Sequence, residues 1–312
     1  MMNNKFIMWF KDISKEDIIS VGGKAANLGE MFSKFSIPDG FCITVSAFEK
    51  FLDDSKIKDK MIDYLQNINF NNLKELESAS QKIRKLIINS KIPKEIEKLI
   101  IKNYNKINGF VAVRSSAVAE DLEQASFAGQ QSTFLNVKGD KDLIKFVKEC
   151  WASFYTARAI VYREKYKFNH QPKMAVVVQQ MVDSKKSGVI FTVNPITKNK
   201  DEMIIEATFG LGEAIVSGMV TPDNYLIDKK NQKVLKEIIN EKKIAIVRQN
   251  GKNKTLKLNS EKANERTLND KELNQLIDES LKIEKYYKKP MDIEWAIDDK
   301  IYILQARPIT TL

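Results

Sequence analysis

The sequence is poor in the residues that most often carry chemistry. Histidine occurs once in 312 residues, at His170, and cysteine twice, at Cys42 and Cys150. Two cysteines this far apart match no metal-binding or redox spacing, and the chain is expected in a reducing, cytoplasmic setting. Long apolar runs are also missing. None reaches the roughly 18 residues of a membrane helix. FIMWF, Phe6 to Phe10, is too short for the apolar core of a secretory leader and reads as a first β-strand. No membrane partner is expected. Arginine is scarce, with 7 residues against 44 lysines. The net charge of +10 therefore comes mainly from lysines spread along the chain, many beside Glu or Asp. Nucleic-acid readers cluster arginine among exposed aromatics, so no nucleic-acid partner is expected. With so few arginines, the position of each becomes informative.

What is present is enough chain for two or three packed lobes. Residues 20–35 read as a glycine turn and a short helix with Leu28, Met31 and Phe32 inward. IPDGFCIT (37–44) is a turn into a strand. Residues 46–107 are helical in pattern: in IPKEIEKLIIKNYNKI, Pro93 suits a first turn and Ile96, Leu99, Ile100 and Tyr104 share a face. FVAV (110–113) is a buried strand, and 141–166 is expected to be one long amphipathic helix. Strand patterns follow at 174–182, 188–193, 203–208 and 224–228, then a helix at 270–288 and a terminal hairpin, MDIEWAI-DD-KIYILQAR. This predicts an α+β fold with mostly antiparallel sheets. GLGEAI (210–215) has only two of the three glycines of a dinucleotide-binding fingerprint, which argues against a doubly wound fold.

Four polar constellations interrupt the apolar patterning. In SVGGKAANLGEM (20–31), Gly22-Gly23-Lys24 opens a helix, as an anion-binding turn would. It is not a P-loop, because Ile18 stands where that motif needs Gly and Ala25 where it needs Ser or Thr. A plain turn with a surface lysine fits equally. In VRSSAVAEDLEQASFAGQQSTFLNV (113–137), Arg114 comes off a buried strand, where its guanidinium can fork onto phosphate. The small polar residues around Gly129 resemble a phosphate nest, and Thr133 then enters a strand. The alternative is a structural pair between Arg114 and Glu120 or Asp121. In VVVQQMVDSKKSGVIFTVNP, the strand end at Gln180-Met181-Val182 could offer backbone groups and a side-chain amide to an adenine rim, although a plain core hairpin is the simpler reading.

The terminal hairpin is the fourth. With Asp298-Asp299 as a two-residue turn, Ile297 pairs with Lys300, Trp295 with Tyr302, and Glu294 lies opposite Ile303. Gln305 and Arg307 then fall on the Glu294 face, with Gln305 diagonal to Glu294. A carboxylate beside an amide oxygen suits Mg2+, and Arg307 one step further suits a phosphate. A three-residue turn would send Gln305 to the other face.

Five segments in order, VGGKAANLGEM, IPDGFCIT, VRSSAVAEDLEQASFAGQQSTFLNV, GLGEAIVSGMVTPDNY and DIEWAI…LQARPIT, resemble the nucleotide-binding domain of phosphoenolpyruvate synthases (pyruvate, water dikinases). Pyruvate phosphate dikinases and rifampicin phosphotransferases share this domain. The resemblance runs from about Phe6 to Thr310. It implies an ATP-grasp-like fold over residues 1–312, with two lobes of roughly 1–110 and 111–312 enclosing a cleft for ATP and Mg2+. It also implies roles: Lys24, Arg114, Gly129, Thr133 and Arg307 at the phosphates; Gln180, Met181 and Val182 at the adenine; Glu213 near the ribose; Glu294 and Gln305 on Mg2+. The implied activity is the ATP half-reaction of phosphoenolpyruvate synthase, in which ATP, pyruvate and water give phosphoenolpyruvate, AMP and phosphate. The alternatives are the matching module of a rifampicin-type phosphotransferase or a non-catalytic nucleotide-binding subunit. Family enzymes also carry a phosphohistidine domain and an acceptor-substrate domain. His170, in KFNHQPKM, lacks the Gly/Thr/Ser-rich setting of that histidine, so these functions are expected on a partner chain or on missing domains.

Overall fold

The computed structural model describes residues 5–66, 68–107, 109–118, 121–122, 125–126, 132–166 and 173–309. The chain divides into two compact units, Met1–Glu30 with Asp39–Met181, and Met31–Pro38 with Val182–Leu312.

The first unit contains strands β1 (Ile7–Trp9), β2 (Gly40–Ile43), β3 (Val111–Ala117), the two-residue pair β4 (Asp121–Leu122) and β5 (Ala125–Ser126), β6 (Thr133–Val137) and β7 (Met174–Gln180). Five of them form one antiparallel sheet in the order β1-β2-β7-β3-β6. Its helices are α1 (Ile18–Phe32), α2 (Val45–Asp54), α3 (Lys58–Gln66), α4 (Leu73–Asn89), α5 (Lys94–Ile107), α6 (Asp140–Ser153) and α7 (Ala157–Lys165). Side chains alternate across a strand, so Phe41, Ile43, Val111, Val113, Val176 and Val178 share one face. That face is buried in a core with helix residues such as Phe48, Phe51 and Trp151. The Trp151 ring stacks on both phenyl rings, at 5.1 and 4.9 Å between centroids. The other face carries Ala112, Arg114 and Ser116, whose ladder partners on β7 are Gln179, Val177 and Ala175. The position near residue 110 that the resemblance implies as a lobe boundary lies inside this compact unit: β1 and β2 precede it and β3 follows it in one sheet.

The single helix expected over 141–166 is two. Helix α6 ends at Ser153, and Thr156 starts α7, its side chain accepting from the Ala159 N–H. A side-chain cap of this kind satisfies an N–H that a helix start would leave unpaired, which lets the chain break and restart within three residues. Cys42 and Cys150 are buried and form no disulfide.

The second unit holds strands β8 (Lys186–Phe191), β9 (Glu202–Phe209), β10 (Asp223–Asp228), β11 (Lys233–Ile238), β12 (Ile244–Gln249), β13 (Lys252–Lys257), β14 (Met291–Ile297) and β15 (Ile301–Pro308). Its helices are α8 (Glu213–Val216), α9 (Ser260–Asn264) and α10 (Asp270–Tyr287). Six strands form an antiparallel sheet, β11-β10-β9-β8-β14-β15, while β12 and β13 form a separate ribbon. The register aligns Ala306, Ile293, Ile190, Ile205 and Tyr225 in one buried row. Helix α10 packs on β14 and β15 and buries Leu273, Leu276, Ile277 and Ile283. The next row, on the opposite face of the sheet, is Gln305, Glu294, Val189, Glu206 and Asn224. The antiparallel α+β organisation read from the sequence is present in both units. No helix among the described residues is long and apolar enough to cross a membrane.

Candidate functional site

On the first unit, the glycine turn explains the position of Lys24. Gly22 interrupts α1 with φ 75° and ψ 167°. A Cβ there would stand 2.3 Å from the Ser116 carbonyl oxygen, so the turn can lie this close to β3 only as glycine. The approach is fixed by Ser116, whose hydroxyl donates to the Val21 carbonyl (2.8 Å) and accepts from the Ala25 N–H (3.2 Å). Lys24 is 4% exposed, which excludes a surface lysine, and its Nζ donates to the Ser115 carbonyl at 3.0 Å.

Arg114, the residue before Ser115, is also buried, and its ladder partner on β6 is Thr133. The fold thus brings Lys24, Arg114 and Thr133 to neighbouring positions. Arg114 also donates to Oε1 of Gln179 at 3.4 Å. Gln179 is buried, and among the described residues its Nε2 has no hydrogen-bond partner; the strand pattern pointed to Gln180 and not to Gln179. Gly129, Glu120 and His170 lie outside the described residues, and Asp121 is described by its backbone alone.

The strand end at Gln180 and Met181 differs from expectation in one respect. The Gln180 N–H donates to the Asp39 carbonyl (2.7 Å) and the Met181 N–H to the Phe110 carbonyl (2.9 Å). These two donors are taken up by the fold because the β7 strand continues its pairing to its last residues. The Gln180 side chain is exposed. Val182 follows as the first residue of this stretch in the second unit.

On the second unit, the terminal hairpin departs from the two-residue turn. Ile297 pairs with Ile301, so the turn has three residues, and Trp295 pairs with Ile303. Continued regularly, this would place Gln305 opposite Ile293, on the core face. A β-bulge between Glu294 and Trp295 absorbs Leu304, and beyond it Glu294 pairs directly with Gln305. Gln305 Nε2 donates to Glu294 Oε1 at 3.2 Å. Arg307 is opposite Asp292 and donates through Nε and Nη2 to Asp292 Oδ2, at 2.9 and 2.8 Å. Asp292 escaped the sequence reading, although it lies two residues before Glu294 and strand alternation alone puts it on the same face. Burial raises the Asp292 pKa above its ordinary value; the Arg307 charge and hydrogen bond oppose this, and Glu294 adds to it. Glu206, in the same sheet face beyond Val189, is also raised by burial, against a hydrogen bond from Asn224.

Glu213 is exposed at the first position of α8, and its Oε2 accepts from the Asn253 amide on β13. The loop before it is clamped. The Gly210 carbonyl accepts from the hydroxyls of Ser187 (2.6 Å) and Ser184 (3.1 Å), and the Gly210 N–H donates to the Lys185 carbonyl at 2.8 Å. Among the described residues, no group of three or more His, Cys, Asp or Glu side chains is arranged to hold a metal ion.

The first unit thus holds a buried lysine beside a buried arginine, and the second unit a carboxylate–amide pair with an arginine on the same sheet face. Residues 18–312 match the family model described as the pyruvate phosphate dikinase, AMP/ATP-binding domain, and the chain belongs to that family. It is 44% identical over 318 residues to the "Probable phosphoenolpyruvate synthase" of Methanothermobacter thermautotrophicus, covering 99% of this chain and 46% of that protein. It is 39% identical over 362 residues to the phosphoenolpyruvate synthase of Pyrococcus furiosus, covering all of this chain and 44% of that one. Against the rifampicin phosphotransferase of Bacillus cereus it is 38% identical over 317 residues, covering 99% and 36%. The chain spans less than half the length of these relatives.

Proposed function

We propose that this chain binds MgATP and prepares it for phosphoryl transfer to a histidine carried on another domain or chain, as the ATP half-reaction of a phosphoenolpyruvate synthase. The observation that carries the reading is the bulge at Leu304, which puts Glu294 and Gln305 side by side on a sheet face and Arg307 on the same face. Extra twist and an unpaired residue are tolerated there, and the result is a pair of hard donors rather than a regular hairpin.

Mg2+ binds through one or two carboxylates and keeps substrate phosphates and waters for the rest, so it needs no cluster of three acids. The Glu294 carboxylate and the Gln305 amide fit such a site: the amide donor that now faces Glu294 Oε1 lies where a cation would compete, and rotation of the amide presents its oxygen. Bound there, Mg2+ would neutralise charge on the phosphate oxygens. In this reading Lys24, Arg114 and Arg307 hold the phosphate chain, Thr133 and Gly129 add donors, Gln180, Met181 and Val182 receive the adenine, and Glu213 receives the ribose. Catalysis of phosphoryl transfer is largely positioning and charge stabilisation, which cations and amides on fixed strands supply. Phosphoenolpyruvate synthase is preferred over an antibiotic phosphotransferase because relatives of the first name reach 46% identity, against 38% for the Bacillus cereus rifampicin phosphotransferase.

Thermal unfolding with and without MgATP tests the nucleotide reading. At a hundred times the Kd, ligand should stabilise the chain by about 2.7 kcal/mol; no shift at millimolar MgATP would refute it. Incubation with radiolabelled ATP tests the transfer. This chain alone should retain no label, and a partner bearing the family's histidine domain should become labelled. Label retained here and lost in His170→Ala would overturn the assignment of the acceptor.

A further inference from the structure

The ribbon formed by β12 and β13 belongs to neither sheet, and no site residue had been expected on it. A two-stranded ribbon is marginal by itself and needs outside anchors. Its anchors fall on the segments assigned above to the nucleoside. Arg248 and Asn253 are ladder partners on one ribbon face. Arg248 Nη2 pairs with Asp183 Oδ2 at 2.8 Å, one residue beyond Val182, and Asn253 Nδ2 donates to Glu213 Oε2. Two residues before Arg248, Ile246 makes a parallel bridge to Gly210, and its carbonyl accepts from the Leu211 N–H at 2.7 Å. Gly210 has φ +79°, and a Cβ there would come 2.2 Å from the Ile246 carbonyl oxygen. The close approach of the ribbon to the GLGE loop is thus built into the backbone.

We infer that the ribbon is a positioning element for nucleoside recognition: Asn253 orients the Glu213 carboxylate toward sugar hydroxyls, and Arg248 tethers the strand exit that receives the base. This rests on the reading that Glu213 meets the ribose and Val182 the adenine. The physical basis is rotamer control. Glu213 is exposed, and a free glutamate would have to be ordered each time a ligand bound. An amide donor on Oε2 holds the side chain and leaves Oε1 to accept from a hydroxyl. Asn253 touches no substrate in this scheme and acts only through Glu213.

The test is a double-mutant cycle read by calorimetric titration of the full 312-residue chain with MgATP, with Mg-tripolyphosphate as a ligand lacking the nucleoside. Asn253→Ala should raise the Kd for ATP about fivefold, the loss expected of one ordinary net hydrogen bond, and should leave tripolyphosphate unaffected. In a Glu213→Ala background it should change nothing further. Additive losses in the double variant, an unchanged Kd in Asn253→Ala, or an equal loss with tripolyphosphate would overturn the inference. A Glu213→Ala variant that binds ATP as the wild type does would overturn the ribose assignment and the inference together, while leaving ATP binding intact. A wild-type chain that binds neither ligand would refute the nucleotide reading itself.

Discussion

Glu294 stands opposite Gln305 in the β14–β15 ladder only because Leu304, between Ile303 and Gln305, is left over in a bulge. The pair is therefore a product of two irregularities that cancel: a turn one residue longer than the tightest hairpin, and one extra residue on the returning strand. Either alone would turn Gln305 into the core.

The first prediction follows from that cancellation. Glu294→Ala should weaken MgATP binding at least as much as the roughly 10–100-fold typical of losing a metal ligand's outer partner, and should barely change binding of metal-free ATP. Deleting Leu304 should spare MgATP binding, because Ile303 stays opposite Trp295 and Gln305 then follows it in regular register, still opposite Glu294. Titrations with Mg2+ and with a chelator distinguish the two conditions. Equal losses in both would remove Glu294 from the metal site.

Gly22→Ala should destabilise the first unit and displace Lys24. The substitution combines a left-handed φ of 75° with a contact of 2.3 Å to a backbone oxygen, which cannot swing away as a side chain would. A loss of about 2–4 kcal/mol is expected from strain plus overpacking. Urea unfolding measures it, and a loss below about 1 kcal/mol would mean that the turn relaxes freely. Gly218→Ala is a control for φ alone, since its φ is +68° and no atom of the described residues lies within 4 Å of an added Cβ.

Asp223 and Lys242 form an ion pair in which both side chains are fully buried. Asp223 also accepts from the Asn240 and Thr267 N–H groups, so one carboxylate joins β10, the 240–242 segment and the approach to α10. Asp223→Ala should cost about 3–5 kcal/mol, because it strands a buried ammonium, whereas Asp223→Leu with Lys242→Met should cost much less. Denaturant midpoints of the two variants decide this. A double variant no more stable than the single one would show that the backbone hydrogen bonds, and not the charge pair, dominate.

Glu206 gives a pH dependence with a defined sign. Its folded pKa is raised by burial, against the Asn224 bond, so the folded state holds its proton more tightly than the unfolded state does. Stability contributed by the protonated form is present below the ordinary glutamate range and is lost as pH rises through the folded value. In Glu206→Gln that loss disappears. The stability of the variant minus that of the wild type should therefore increase from pH 4 to pH 7 in urea titrations. A flat or falling difference would mean that Glu206 is solvated in the folded protein.

The sequence by itself determined a good deal of this protein. Short apolar runs gave β3 and β7, strand patterning gave β9 and β10, and helical spacing gave the segments that became α4, α5 and α10, because burial of an element's faces imprints a pattern on the chain. Motif order pointed to the nucleotide-binding family, and strand parity was enough to place Asp292 beside Glu294, though it was overlooked. The break between α6 and α7 was less legible, since the apolar pattern runs through it and a single threonine cap decides it. The β12–β13 ribbon was not legible at all: all of β13 except Leu256 is exposed, so no burial imprinted a period on KNKTLK. Long-range facts belonged to the tertiary structure alone. That Lys24 is buried against Ser115, that Asn253 reaches Glu213 and that Leu304 bulges so that Glu294 meets Gln305 all depend on register between segments distant in sequence or on a one-residue slip. Composition and spacing do not encode such slips locally, because the free energy that selects a register comes from packing the whole sheet face.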